Sequence, residues 1–471
     1  MMYSFGSSPK TRIALFFLIG HVSITEFPAM ICLPQACTVP TIKLMSGDWQ
    51  TRLRELGVVK GVRNLKPAPV SPPQPSPFRT NHTPVLGDWD EVQPVHKLLP
   101  GGQIVTTEVG GCFVLDHVYP LTHWHGDERL GDLLEMDAAA AATFTADPRF
   151  QALQFQDILF LDTETTGLWG AGTLAFMVGA AFFDGQAFVV RQYFLRDHGD
   201  ETAMLLLLNE LVASKAALVT FNGRSFDVPL LDGRYLMNRL ETELLFKPHL
   251  DLLPPTRRLW RNRIGSCALG AVEKNILGVR RSEDDVPGYL IPGLYLDYLR
   301  HGDARELLRV FYHNRLDMLS MVTLLYRVVR QWSRPQPTDH PHDLFSLGAW
   351  QAHLSLTHEA ETTLRLAASL EASLDLYHQI LHQLAVLLKQ QERRDEAANI
   401  WMQIAATSFE DISAHIELAK HFEWREQDLA PAIQWTQQAL TLLQMHPAPN
   451  PNQIADLQHR LARLERKRQH R

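Results

Sequence analysis

Residues Ile158 to Gly167 read ILFLDTETTG: four large apolar residues, two carboxylates separated by one threonine, and a Thr-Thr-Gly turn. The apolar run has the length of a short buried strand. Side chains alternate across a strand, so Asp162 and Glu164 project together from its end. Two carboxylates held side by side in a partly apolar setting repel each other and lose hydration, which costs several kcal/mol unless a cation or partner offsets it. A divalent metal is the simplest offset.

Outward from this stretch, strands and helices alternate from Phe155 to about Arg330. Thr173 to Phe183 and Gln186 to Leu195 are apolar, aromatic-rich runs joined by Asp184-Gly185, a two-residue hairpin signal. Glu201 to Val212 reads as a helix, and Ala217 to Phe221 as a buried strand ending at Asn222-Gly223. From Asp303 to Arg330 apolar residues recur at Leu307, Leu308, Phe311, Met318, Met321, Leu324, Leu325 and Val328, the face of a long helix. Three antiparallel strands followed by helix, strand and helices predict an α/β domain with a mixed sheet over residues 151–332.

The chain of 471 residues is long enough for two or three domains. A formal net charge of −7 excludes a protein that coats nucleic acid by bulk charge, while leaving room for a local basic groove. Four cysteines suggest no disulfide framework, and Cys32 and Cys37 lack a second pair for a zinc site, so a reducing, cytoplasmic setting is expected. No apolar run approaches the roughly 18 residues of a membrane span. Residues 1–44 contain an apolar run, Ile13 to Gly20, after Lys10 and Arg12, but no clean small-residue cleavage site. We read them as a poorly structured or misassigned extension, with Met45 opening a more natural start. Residues 45–85 comprise a short helix from Asp48 to Val58 and a linker with seven prolines in the eighteen residues Pro67 to Pro84.

Residues 86–150 form a small β-rich region in which Gly101 to Pro120 alternates around Gly110-Gly111 as a hairpin. Cys112, His117, His123 and His125 cluster there, but their spacing matches no usual zinc pattern. Loop histidines with a core cysteine is the favoured reading, and contact with substrate or partner stays open. Residues 340–471 look helical and repetitive. Leu418-Ala419 falls 34 residues after Leu384-Ala385, and Gly348, Ala360 and Ala367 keep the internal spacing of Ala385, Ala397 and Ile404. Small residues at such intervals are what tetratricopeptide-like helical hairpins place where paired helices touch. A generic helical bundle is the alternative. Ile454 to Arg471 is a basic helix that caps the array. Arrays of this kind take protein partners.

Two further acids stand out. Asp227 ends NGRSFD (222–227) at a strand-to-helix junction, where α/β sites are usually built. Asp317 lies in FYHNRLD (311–317) on the long helix, one turn after His313 and on the same face. An aspartate inside an apolar helical stripe needs a reason, and a metal held between helix and strand is one.

Asp162, Glu164, Asp227 and Asp317, in that order, resemble the DEDD superfamily of 3′-to-5′ exonucleases with a ribonuclease-H-like fold. DTETTG is similar to its first motif, NGRSFD to its second and HNRLD to its third. Within it, Phe155 to Arg330 most resembles the YprB-type ribonuclease-H-like domain, which also occurs with tetratricopeptide repeats. The resemblance implies an α/β ribonuclease-H-like domain plus a C-terminal all-α helical-repeat domain. It implies two divalent ions, Mg2+ or Mn2+, which clamp both oxygens of an in-line phosphodiester displacement. Asp162 would bridge both, Glu164 and Asp317 would bind one, and Asp227 the other. His313 would orient or deprotonate the attacking water. The third motif departs from both common versions: His313 stands four residues before Asp317 and Tyr312 five before. Helical geometry favours His313, with Tyr312 a core aromatic or alternative base.

Thr165 and Thr166 would touch the terminal nucleotide or merely form the turn, and Asn222 would contact substrate or water near Asp227. Asp251 reads as a capping or structural acid rather than a fifth ligand. Arg257, Arg258, Arg261 and Arg263 surround Trp260 in TRRLWRNR, which suits a single strand with a stacked base as well as it suits a solvated helix with a buried tryptophan. The expected function is metal-dependent 3′-to-5′ hydrolysis of a single-stranded DNA or RNA end, with a protein partner recruited through the repeats. The alternative is a non-catalytic scaffold that binds nucleic acid and recruits partners.

Overall fold

In the computed structural model, which describes residues 92–167, 172–408 and 411–470, the chain first forms a hairpin of β1 (Gly102–Thr107) and β2 (Gly110–Pro120). A short pair follows, β3 (Trp124–His125) with β4 (Glu128–Arg129), then β5 (Ile158–Thr165), β6 (Ala175–Asp184), β7 (Ala187–Phe194), β8 (Ala217–Thr220) and β9 (His249–Asp251). Among the described residues one sheet has seven strands in the order β1-β2-β7-β6-β5-β8-β9, with β3-β4 apart from it. β8 runs parallel to β5 and β9, and the other pairs are antiparallel, which makes the sheet mixed. The expectations for residues 1–44, for the Asp48 to Val58 helix with its proline-rich linker, and for Cys32 and Cys37 fall outside the described residues.

The upstream hairpin continues the sheet that carries β5, because β2 pairs with β7 from Phe113↔Phe194 to Pro120↔Ala187. Both hairpin turns sit slightly off their sequence signals. Thr107 pairs with Gly110, so Glu108-Val109 make the first turn and both glycines lie in β2. The Thr107 hydroxyl closes that turn, donating to Gly110 O at 3.0 Å and accepting from Val109 N at 3.3 Å. In the second, Asp184 pairs with Ala187, and Gly185 takes the left-handed φ of 56° that the turn requires.

Alternation along β5 decides where its carboxylates go. Ile158 and Phe160 share a core with Met318, Met321 and Leu325 of the long helix Leu307–Ser333. Leu159 and Leu161 share the other core, with Leu205 and Leu208 of helix Glu201–Ser214 and with Leu231. All four are fully buried, and each such side chain contributes about 1.5–3 kcal/mol of hydrophobic stabilisation. Asp162 and Glu164 continue the Ile158–Phe160 face, so the packing that fixes the strand aims both carboxylates toward the long helix.

The C-terminal region is all-helical: Pro341–His353 with Thr357–Ala368, Leu374–Gln390 with Arg394–Thr407, Ile412–Trp424 with Leu429–Met445, then the basic helix Pro451–Gln469. Small residues lie buried at the crossings, including Ala360, Ala385, Ala397, Ala419 and Ala432. At Gly348 a Cβ would come within 2.7 Å of Leu364, so only glycine allows that pair its close approach.

Candidate active site

Asp162 sits in a cross-strand row, paired with Gly179, which in turn pairs with Gln192. Asn314 of the long helix lies over this row and donates from Nδ2 to Asp162 Oδ2 at 3.0 Å. Gln192 fixes that orientation by donating from Nε2 to Asn314 Oδ1 at 2.9 Å, and both amides are fully buried. Gly179 makes room, because a Cβ there would stand 2.4 Å from Asn314 Oδ1. Neither Asn314 nor its two supports stood out in the sequence. Asn314 is three residues before Asp317, hence on the same helical face, and that shared face is the one signal by which it could have been found.

Glu164, His313 and Asp317 come together, each placing a ligand atom within 4.8 Å of the other two. His313 Nε2 is 3.6 Å from Asp317 Oδ2. The loop after residue 278 adds groups that no motif or periodicity marks in the sequence. Arg281 donates to Asp317 and makes a two-pronged pair with Glu273, at 2.7 Å and 2.6 Å. Glu273 is buried and also accepts from Ser320 Oγ at 2.6 Å, and His125 Nε2 lies 2.8 Å from the same hydroxyl. Burial pushes His125 down to about 4, so it stays neutral at neutral pH. Asp285 is 2.7 Å from His313 Nδ1.

Asp227 starts helix Asp227–Met237 and is buried. Its Oδ1 accepts from Thr163 Oγ1 at 2.5 Å, from the residue between the two strand carboxylates. The β8-to-helix turn that delivers it is held by Asp251, which accepts from the backbone N–H groups of Asn222 at 2.7 Å, Arg224 at 3.2 Å and Leu253 at 3.0 Å. Asp251 thus has a structural, turn-holding role. Asn222 adopts a left-handed φ of 69°, and Gly223 is pressed on Thr220, where a Cβ would stand 2.6 Å away.

Burial is the main reason these acids hold their protons more tightly than usual, and mutual repulsion adds to it. Asp162 is raised well above the ordinary carboxylate range by burial, then by Asp227, Asp317 and Glu164. Glu164 is raised by burial, then by Asp317 and Asp227, with Arg281 opposing. Asp317 is raised by burial, against which Arg281 and His313 act. Asp227 goes up to about 6 through burial, with the Thr163 hydrogen bond pulling it back. Four acids that load one another in this way are a site short of positive charge.

Residues 159–329, from β5 to near the end of the long helix, match the RNase H superfamily. Over 368 residues the chain is 31% identical to the uncharacterized protein YprB of Bacillus subtilis (strain 168), spanning 76% of this chain and 86% of that one. The chain belongs to the RNase H superfamily, alongside YprB. Membership ties it in general terms to nucleic-acid binding and nuclease-type hydrolysis.

An RNase H superfamily site generally works with divalent metal, and the donors here fit one. Glu164, His313 and Asp317 offer ligand atoms at one point, and the repulsion among four carboxylates, Asp227 buried and the other three half-buried, is what a hard cation with oxygen ligands relieves. Tyr312 stands away from this point. Its hydroxyl accepts from Ser282 N at 3.3 Å, and Arg315 lies over its ring at 5.5 Å. His313 is therefore the residue of the pair that reaches the acids.

Thr165 and Thr166 build the turn: Thr165 Oγ1 donates to Gly167 O at 2.8 Å, and Thr166 Oγ1 accepts from Leu174 N at 3.0 Å. Trp260 departs from the expectation of a base-stacking ring. It is 1% exposed, packs in the core and donates to Gln331 at 3.2 Å, so no ring face is open to a nucleotide. The apolar stripe of helix Leu253–Ile264 faces inward and takes the tryptophan with it. Arg257 and Arg258 are exposed, Arg258 lying 5.5 Å over Trp350, and Arg263 pairs with Asp343. That helix serves chiefly to dock the first C-terminal helix. Cys112, His117, His123 and His125 do not form a metal-holding group. Cys112 is buried, with its thiol pushed up to about 12; His117 lies by Arg315 and His123 against Tyr119.

Proposed function

We propose that the chain is a divalent-metal-dependent 3′-to-5′ exonuclease acting on single-stranded DNA or RNA. The observation that carries this reading is the meeting of Glu164, His313 and Asp317 beside Asp162 and Asp227, on elements that match the RNase H superfamily. In this reading Asp162, Glu164, Asp227 and Asp317 hold two Mg2+ or Mn2+ ions. Bound there, such ions supply Lewis-acid stabilisation of the attacking and leaving oxygens. Asn314 keeps Asp162 in place and Thr163 orients Asp227. His313 Nε2 takes the proton of the attacking water as its oxygen bonds to phosphorus. The bond from phosphorus to the 3′ oxygen of the shortened strand breaks, that oxygen takes a proton from solvent, and a nucleoside 5′-monophosphate leaves. Thr165, Thr166 and Asn222 line the approach of the terminal nucleotide. Arg257 and Arg258 give a cationic surface farther out, and the helical array recruits a protein partner. The test is release of mononucleotides from a labelled single strand with Mn2+ or Mg2+. The wild-type chain should release them, and Asp162→Asn or Asp227→Asn should lower the rate by at least two orders of magnitude, roughly the scale of losing a key electrostatic group. Tight strand binding without turnover in any divalent metal would instead favour a non-catalytic scaffold.

A further inference from the structure

His313 has two ring nitrogens and, when neutral, one proton to place. Nδ1 lies 2.7 Å from Asp285 Oδ1 and 3.1 Å from Arg281 Nη1. Nε2 lies 3.6 Å from Asp317 Oδ2, beyond hydrogen-bond reach. An ionised carboxylate only accepts and a guanidinium only donates. A bare Nδ1 would satisfy Arg281 but set its lone pair against a carboxylate oxygen at 2.7 Å. A protonated Nδ1 donates across that short, charge-assisted contact, which is the stronger arrangement. Arg281 Nη1 then keeps Asp285 Oδ2, at 3.5 Å.

Asp285 is not placed there by chance of a loose loop. Arg309 of the long helix donates to the carbonyls of Asp284 at 3.3 Å and Asp285 at 2.9 Å. Ser282 N donates to Tyr312, and Arg281 is anchored on buried Glu273. The helix that carries His313 thus also straps down the loop that carries Asp285. Rigid support of this kind is what an orienting carboxylate needs.

We propose that Asp285 is the positioning residue of His313: it holds the proton on Nδ1 and so turns the lone pair of Nε2 toward Asp317 and Glu164. A histidine that must accept a proton or meet a cation at one nitrogen commonly donates from the other to a carboxylate. The role of Nε2 rests on the exonuclease reading, but the tautomer is measurable without it. The experiment is nitrogen NMR of the metal-free full chain labelled with 15N-histidine at pH 8, the His313 signals being those lost in His313→Gln. Wild type and Asp285→Asn, which keeps an acceptor oxygen, should show the proton on Nδ1. Asp285→Ala should shift it to Nε2 or to a mixture. With Mn2+ and a single strand, Asp285→Ala should lower kcat about 10–100-fold with KM little changed, and Asp285→Asn should recover most of it. A wild-type proton on Nε2, or a tautomer unchanged in Asp285→Ala, overturns the proposal even if hydrolysis proceeds. The expected tautomers with no hydrolysis by any variant would leave the positioning standing and refute the exonuclease reading.

Discussion

Burial, with a smaller push from Asp251, lifts Asp227 from 3.8 to about 6 in the folded chain. At about 1.4 kcal/mol per pH unit, keeping it ionised at pH 7 costs the metal-free fold about 3 kcal/mol. The sign follows from proton counting. Between 3.8 and about 6 the folded state binds the proton and the unfolded state does not, so the contribution of Asp227 to stability is full below 3.8 and lost as pH rises through about 6. Without metal, Asp227→Asn should therefore be the more stable chain at pH 7 in urea unfolding. Its advantage should shrink by about 1.4 kcal/mol at pH 5. An advantage that stays constant or grows on acidification would contradict this electrostatic account. A bound cation offsets the same cost of holding an ionised acid out of water. Mn2+ at 100 times its dissociation constant should stabilise wild type by about 2.7 kcal/mol, with a smaller shift in melting temperature for Asp162→Asn.

β5 and the long helix are the elements that make the site, and both were legible. Four apolar residues before Asp162 set the strand, alternation set its faces, and the His313-to-Asp317 spacing set the helical face. The turns were legible to within a residue or two, because glycine signals mark where a chain can turn and cross-strand pairing selects the residue. Arg281, Asp285 and Glu273 were not legible. They lie on a loop and a short helical segment without periodicity, and their partners on the long helix are 28 to 47 residues on. Trp260 reads from the sequence as buried or stacking, and the choice depends on its bond to Gln331 and on the core it shares with Trp350, both far along the chain. Gly179 gives the element-scale prediction. Replacing it by alanine drives a Cβ into the Asn314 amide, which Gln192 holds in place. Gly179→Ala should cost about 1–3 kcal/mol in urea unfolding. Adding Asn314→Ala should recover part of that loss, whereas strictly additive losses would exclude the clash as its cause.

At the scale of the whole molecule, the helical array begins as part of the nuclease-like body. Trp350 of its first helix lies 4.7 Å from Trp332 at the end of the long helix and 5.7 Å from Phe144, ring centre to ring centre. Trp350 and Leu347 belong to the core that contains Trp260 and Phe160. Arg263 to Asp343 adds two bonds at 2.7 Å and 2.8 Å. Trp350→Ala should therefore destabilise both regions by about 3–5 kcal/mol. A destabilised array transition beside an unchanged first domain would show the two to be independent.

Hydrolysis from a 3′ end at the acid cluster is tested most directly with single-stranded DNA and RNA oligomers labelled at opposite ends and titrated with Mn2+ and Mg2+. The expected result is immediate release of the 3′ label as a mononucleotide, a 5′-labelled ladder shortening one step at a time, and neither in Asp162→Asn. Internal cuts from the outset, or no cleavage of either polymer at any metal concentration, would contradict it.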